Sequence, residues 1–135
     1  MNAFIADLTN QPGEFAKVTE AIAIKGIDIT AFSGVASGGS GTVALCTNDE
    51  AGTRRALNEA HVKWHEVELV RVSLANKPGA LADATRRLAN SGINVEAALP
   101  IGMAGDKVIV AFATDDPAKT RSVLGERVAV GASSH

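Results

Sequence analysis

Hydrophobic and polar positions change period in the same order twice along the chain. Phe4, Ala6 and Leu8 recur at every second residue, as do Val70, Val72 and Leu74, the pattern of a strand with one buried face. The period then lengthens: Phe15, Val18 and Ile22, like Leu81, Ala84 and Leu88, fall on one face of a helix. Gly26 and Gly92 stop those helices with C-cap character. Alternation returns at Ile29 and Ala31 and again at Val43 and Leu45. Its counterparts are Val95, Ala97 and Leu99, then Val108, Val110 and Phe112. The Gly-rich segments between these runs, ASGGSG and GMAGD, predict hairpin turns. Asp49 and Asp116 are N-cap candidates, the second backed by Pro117, for short helices that bury Leu57 and Leu124. Val62 and Trp64, and later Val128 and Val130, predict a last strand in each half.

The two halves are one unit written twice. LTNQPGEFAKVTEAIAIKGIDIT aligns with LANKPGALADATRRLANSGINVE at a constant offset of 66, placing Asn10, Pro12, Gly13 and Gly26 opposite Asn76, Pro78, Gly79 and Gly92. Farther on, TNDEA meets TDDPA at an offset of 67, so the second copy gains one residue, which the reading assigns to the hairpin. The order β-α-β-β-α-β is the ferredoxin-like split unit, and the fold class is α+β. The domains are 1–66 and 67–131, with 132–135 as a C-terminal tail. From Thr53 to Lys77 there is neither Gly nor Pro, so no flexible linker separates the halves and they are expected to move as one body. Two such units can cover exposed edges by pairing into one eight-stranded antiparallel sheet with helices on one face.

Composition narrows the function classes. With 135 residues, 46% of them hydrophobic, the chain has enough apolar material for a buried core. A net charge of −2 with both signs interspersed leaves no basic stripe for phosphates, which argues against nucleic acid. Cys46 is the single cysteine, so no disulfide or CxxC metal pair can form and a reducing cytoplasm is expected. No apolar run is long enough to span a membrane and the N-terminus is unlike a signal peptide. His61 and His65 are four apart in a stretch that reads as strand, where about 13 Å would separate them, so no metal site is expected. No nucleophile, base and orienting acid can be assembled, and no cofactor motif is present, so an enzyme is not expected.

N-x-P-G at the first strand-helix junction and G-I-[DN]-[IV] at the start of the second strand, in both copies, resemble the ACT domain family. The likeness is greatest to small stand-alone proteins made of two ACT domains. The resemblance implies a non-catalytic regulatory protein that senses an amino acid at the interface between ACT domains. It implies ligand contacts at Asn10, Pro12, Gly13, Asp28 and Ile29, and at Asn76, Pro78, Gly79, Asn94 and Val95; Gln11 and Lys77 complete the two candidate loops. Where serine-binding relatives place a histidine two residues before the loop Asn, this chain has Leu8 and Leu74, which argues against serine.

The residue chemistry fits this implication. Gly13 and Gly79 remove Cβ beside a helix N-terminus, opening unpaired backbone N–H groups to a carboxylate. Asn10 and Asn76 supply both a donor and an acceptor, and Asp28 or Asn94 can receive an ammonium or orient the loop. The same residues also suit plain turn and helix-start chemistry, with Asn capping the helix and Pro in its first turn. Two functions therefore stand side by side: an amino-acid sensor, or a ligand-free scaffold acting through protein association. In either case a homodimer is expected, with a partner enzyme or regulator as a further associate.

Overall fold

The computed structural model describes residues 1–126. The chain divides into two compact units, Met1–Val67 and the part from Glu68 onward. Unit one contains β1 (Asn2–Thr9), α1 (Glu14–Ala23), β2 (Ile29–Ser37), β3 (Ser40–Thr47), α2 (Glu50–Glu59) and β4 (Lys63–Glu68). Unit two contains β5 (Val70–Ala75), α3 (Ala80–Asn90), β6 (Val95–Ala104), β7 (Lys107–Thr114) and α4 (Pro117–Leu124). The strand predicted at Val128 and Val130, the end of the 67–131 domain and the 132–135 tail lie outside the described residues.

In unit one the strands lie in the order β2-β3-β1-β4, with β3 antiparallel to both β1 and β2. Alternation decides which side is apolar: Phe4 and Ala6 on β1 and Val43 and Leu45 on β3 meet Val18 and Ile22 of α1 and Ala56 and Leu57 of α2. Unit two repeats this as β5-β7-β6, with Val70, Val72, Val110 and Phe112 packed on Leu88 and Ile93. These are α+β units of the expected ferredoxin-like kind. Strand pairing among the described residues gives a four-stranded and a three-stranded sheet.

Local chemistry repeats with the fold. Asp49 and Asp116 cap α2 and α4, accepting from the backbone N–H groups of Gly52 (2.9 Å) and Lys119 (3.0 Å). Beneath each cap, paired hydroxyls close the turn: Thr47 with Thr53 at 2.7 Å, and Thr114 with Thr120 at 2.8 Å. Gly26 and Gly92 follow the helix ends at positive φ (72° and 73°), with Ile24 and Ser91 at the C-cap positions.

The extra residue of the second copy is not in the hairpin turn. Both turns hold two residues, Gly38-Gly39 between paired Ser37 and Ser40, and Gly105-Asp106 between paired Ala104 and Lys107. The insertion is a bulge in β6, where Pro100 pairs with Val110 and Gly102 with Ile109, leaving Ile101 unmatched. An edge strand absorbs this at low cost, because Pro100 has no N–H to donate and the unmatched Ile101 disturbs pairing with one neighbouring strand only.

Candidate small-molecule site

Each N-x-P-G loop leaves the end of its first strand and turns directly into a helix. Gly13 and Gly79 occupy the N-cap positions of α1 and α3 with φ of 89° and 88°, left-handed backbone that glycine adopts without strain. The first helical bonds run from the N–H of Lys17 to the Gly13 carbonyl and from that of Asp83 to Gly79, each at 2.9 Å. The N–H groups of Glu14 and Ala80 donate back to the Gln11 and Lys77 carbonyls (3.3 and 3.4 Å), which leaves those of the next two residues ahead of the first helical bond.

The asparagines do not cap the helices, contrary to the simplest turn-chemistry reading; neither α1 nor α3 has a side-chain cap. Their backbone is tied to the opposite hairpin, Asn10 N–H to the Gly39 carbonyl at 3.0 Å and Asn76 N–H to that of Asp106 at 2.9 Å. The Asn10 side chain adds a bond to the Gly38 carbonyl at 2.8 Å. Gln11 and Lys77 turn the chain through bonds from their own N–H groups to Thr9 and Ala75, each 2.9 Å. Pro12 and Pro78 are exposed at the loop crests.

Beneath each loop lies an open cavity on the helix-bearing side of the sheet. The first, about 370 Å³, is lined by Asn10, Gln11, Glu14 and Phe15 from the loop side. Leu8, Phe32, Gly34, Gly41 and Val43 line it from the sheet. The second, about 340 Å³, is lined by Asn76, Lys77, Ala80 and Leu81, facing Leu74, Ala98, Pro100, Val108 and Val110. These are the same positions of the repeat, so one fold makes the cavity twice. It exists because β2 and β6 are edge strands that reach past the helices, leaving Phe32 61% exposed with its ring centroid 6.4 Å from that of Phe15.

Asp28 and Asn94 are placed elsewhere. Thr9 and Ser37 both pair with Ser40, whereas Ile29 pairs with Thr47, seven residues along β3, about 23 Å away at strand rise. Within one unit, then, Asp28 and Ile29 lie at the opposite end of the sheet from Asn10–Gly13. Asp28 N–H donates to the Asn48 side chain (3.0 Å), and Asn48 N–H donates back to the Asp28 carbonyl (3.1 Å). Asn94 and Asp115 repeat this at 3.0 and 3.2 Å. Ile29 and Val95 are partly buried against their cores. Sequence reasoning missed Glu14 and the sheet residues of the cavity; the signal for Glu14 was its place right after the loop.

The titratable groups with displaced pKa values lie apart from these cavities. Arg54 holds the Glu66 carboxyl down to about 2 through two bonds of 2.7 Å, helped by the Asn2 side-chain amide. Burial, then the charge of Glu50, pushes the Cys46 thiol up to about 11. His61 sits in the turn after α2 with φ of 58°, not in a strand, and His65 is in β4. Among the described residues no group of three or more His, Cys, Asp or Glu side chains is placed to hold a metal ion. No described helix is long and apolar enough to cross a membrane.

Two units of one ferredoxin-like plan, each with a cavity under its first strand-helix loop, define a tandem binding-type fold. The chain belongs to the ACT domain pair family, whose model matches residues 46–129. Among solved structures, a protein from Bacteroides thetaiotaomicron is similar, with a TM-score of 0.77 and 23% identity over 90% of this chain and 84% of that one. The ligand-free regulatory subunit of aspartate kinase from Thermus thermophilus has a TM-score of 0.64 at 20% identity, covering 91% of this chain and 87% of that one. The regulatory subunit of aspartate kinase from Thermus flavus has 0.57 at 22%, covering 83% and 82%. At these identities the likeness is one of fold. No curated protein sequence matches the chain.

Proposed function

We propose that the protein is a non-catalytic regulatory module that binds an amino acid or a close chemical relative at its N-x-P-G loops. Occupancy is passed on through association with a second copy, or with a partner enzyme or regulator. The observation that carries this reading is the cavity beneath the same loop in each unit, about 370 and 340 Å³, a volume suited to a small molecule. Asn10 and Asn76 bring an amide to each rim. Family membership agrees with the reading, as does the likeness to the two Thermus proteins, which are regulatory subunits of aspartate kinase.

Because Asp28 lies about 23 Å from the loop of its own unit, a small ligand in the loop cavity of that unit does not also reach Asp28. A cytoplasmic setting suits buried Cys46, the single cysteine, which needs no disulfide partner.

The scaffold reading draws on a separate observation: edge strand β2 exposes Phe32 (61%) and Val35 (74%), a surface suited to pairing with another chain. Thermal melting against each of the twenty amino acids at millimolar concentration separates the two. A ligand at one hundred times its Kd adds about 2.7 kcal/mol and raises Tm by several degrees. No rise with any amino acid contradicts the sensor and leaves the scaffold.

A further inference from the structure

The two loop cavities occupy equivalent positions but carry opposite charge. Among the residues lining the first, Glu14 is the one acidic or basic side chain; among those lining the second, Lys77 is. Gln11 stands where the second unit has Lys77, and Ala80 stands where the first has Glu14, so both changes act in one direction. Among the described residues neither charge has an ion-pair partner, which leaves each free for a ligand.

The walls diverge with the charge. Gly34 and Gly41 in the first cavity are replaced by Pro100 and Val108 in the second, filling the floor with aliphatic carbon. The Phe15–Phe32 ring pair is replaced by Leu81 and Ala98, removing the aromatic wall. What is left in unit two is an aliphatic hollow with one amide and one cation at its rim. Its complement is a small branched body ending in an anion.

The geometry points to a division between the cavities: the second takes an aliphatic carboxylate whose anionic end meets Lys77, and the first takes an ammonium whose counter-ion is Glu14. This rests on the proposed function above and adds the ligand class of each cavity. Lys77 and Glu14 are the specificity-determining residues, since each makes a charge-assisted bond to one end of a ligand and repels the other.

Leucine cut in two provides the probes. 4-Methylpentanoate keeps its branched body and carboxylate; 3-methylbutylamine keeps the body and the ammonium. Each is titrated calorimetrically into the full chain. 4-Methylpentanoate is expected to bind, weakening about tenfold or more in Lys77→Gln and little in Glu14→Gln. 3-Methylbutylamine is expected to show the reverse. The double variant Gln11→Lys with Glu14→Ala, which writes the charge pattern of unit two into unit one, is expected to add a second carboxylate site. Of the three substituted positions, Gln11 and Lys77 are exposed and Glu14 is half-buried, and circular dichroism checks that the fold persists. Carboxylate binding as tight in Lys77→Gln as in the parent overturns the inference. If leucine itself binds and neither probe does, the inference falls and the proposed function stands; if no amino acid binds, both fall.

Discussion

The side-chain amide of Asn10 donates to the carbonyl of Gly38 at 2.8 Å, fastening the N-x-P-G loop of unit one to the β2-β3 hairpin turn. The bond is exposed, so its net worth is small even though it sets the loop position. Asn10→Ala is expected to lower stability by about 0.5 kcal/mol in urea denaturation. The larger effect is local: hydrogen exchange is expected to speed up at the backbone N–H of residue 10, which donates to the Gly39 carbonyl. An unchanged exchange rate there contradicts the assigned role.

Gly79 has φ of 88° with nothing within 4 Å of where a Cβ would stand, so the obstacle to a side chain is backbone conformation and not space. Gly79→Ala is expected to cost about 1–2 kcal/mol, and Gly79→Asn less, since Asn tolerates the left-handed region better. Gly13, at φ of 89°, is expected to give the same ranking. Equal losses for Ala and Asn in chemical denaturation contradict the backbone explanation.

Glu66 bridges Arg54 on α2 and Asn2 on β1, and those bonds hold its carboxyl near 2 against an ordinary value of 4.5. The folded carboxyl is the more acidic one. Its contribution to stability is therefore fully present above about pH 4.5 and is lost as pH falls toward about 2. Glu66→Gln is expected to be less stable at pH 7 and to lose less on acidification. Urea midpoints measured between pH 7 and pH 2.5 check this, and parallel curves for the two proteins contradict it.

The Cys46 thiol, buried and pushed up to about 11, holds almost no thiolate at neutral pH. An aromatic disulfide reagent is expected to leave the folded protein unmodified at pH 7.5 and to react fully once it is unfolded in urea. Rapid modification in the folded state contradicts the placement of Cys46.

Much of the fold was legible because the repeat supplied every pattern twice. Alternation placed Phe4 and Ala6, and Val70 and Val72, in their cores, and the N-cap candidates Asp49 and Asp116, the second followed by Pro117, cap α2 and α4 through Gly52 and Lys119. The extra residue was misplaced because Gly-rich turns look like the natural site of an insertion, whereas an edge strand carrying Pro100 takes it up as a bulge at Ile101. The site was legible only in part. Spacing located the Asn10 and Asn76 loops, but it does not tell how far a helix covers a strand. Phe32, Gly34, Ala98 and Pro100 therefore entered only with three-dimensional structure. The separation of Asp28 from Asn10 was hidden for a related reason, since two motifs close in sequence sit at opposite ends of one sheet.

The most direct measurement is a nitrogen-15 amide NMR titration of the intact protein with whichever amino acid raises Tm. Saturable shifts are expected, concentrated at residues 10–15 and 76–81 and on the facing stretches of β2, β3, β6 and β7. Shifts confined to other surfaces, or no saturable shift at millimolar ligand, contradict binding at the loop cavities.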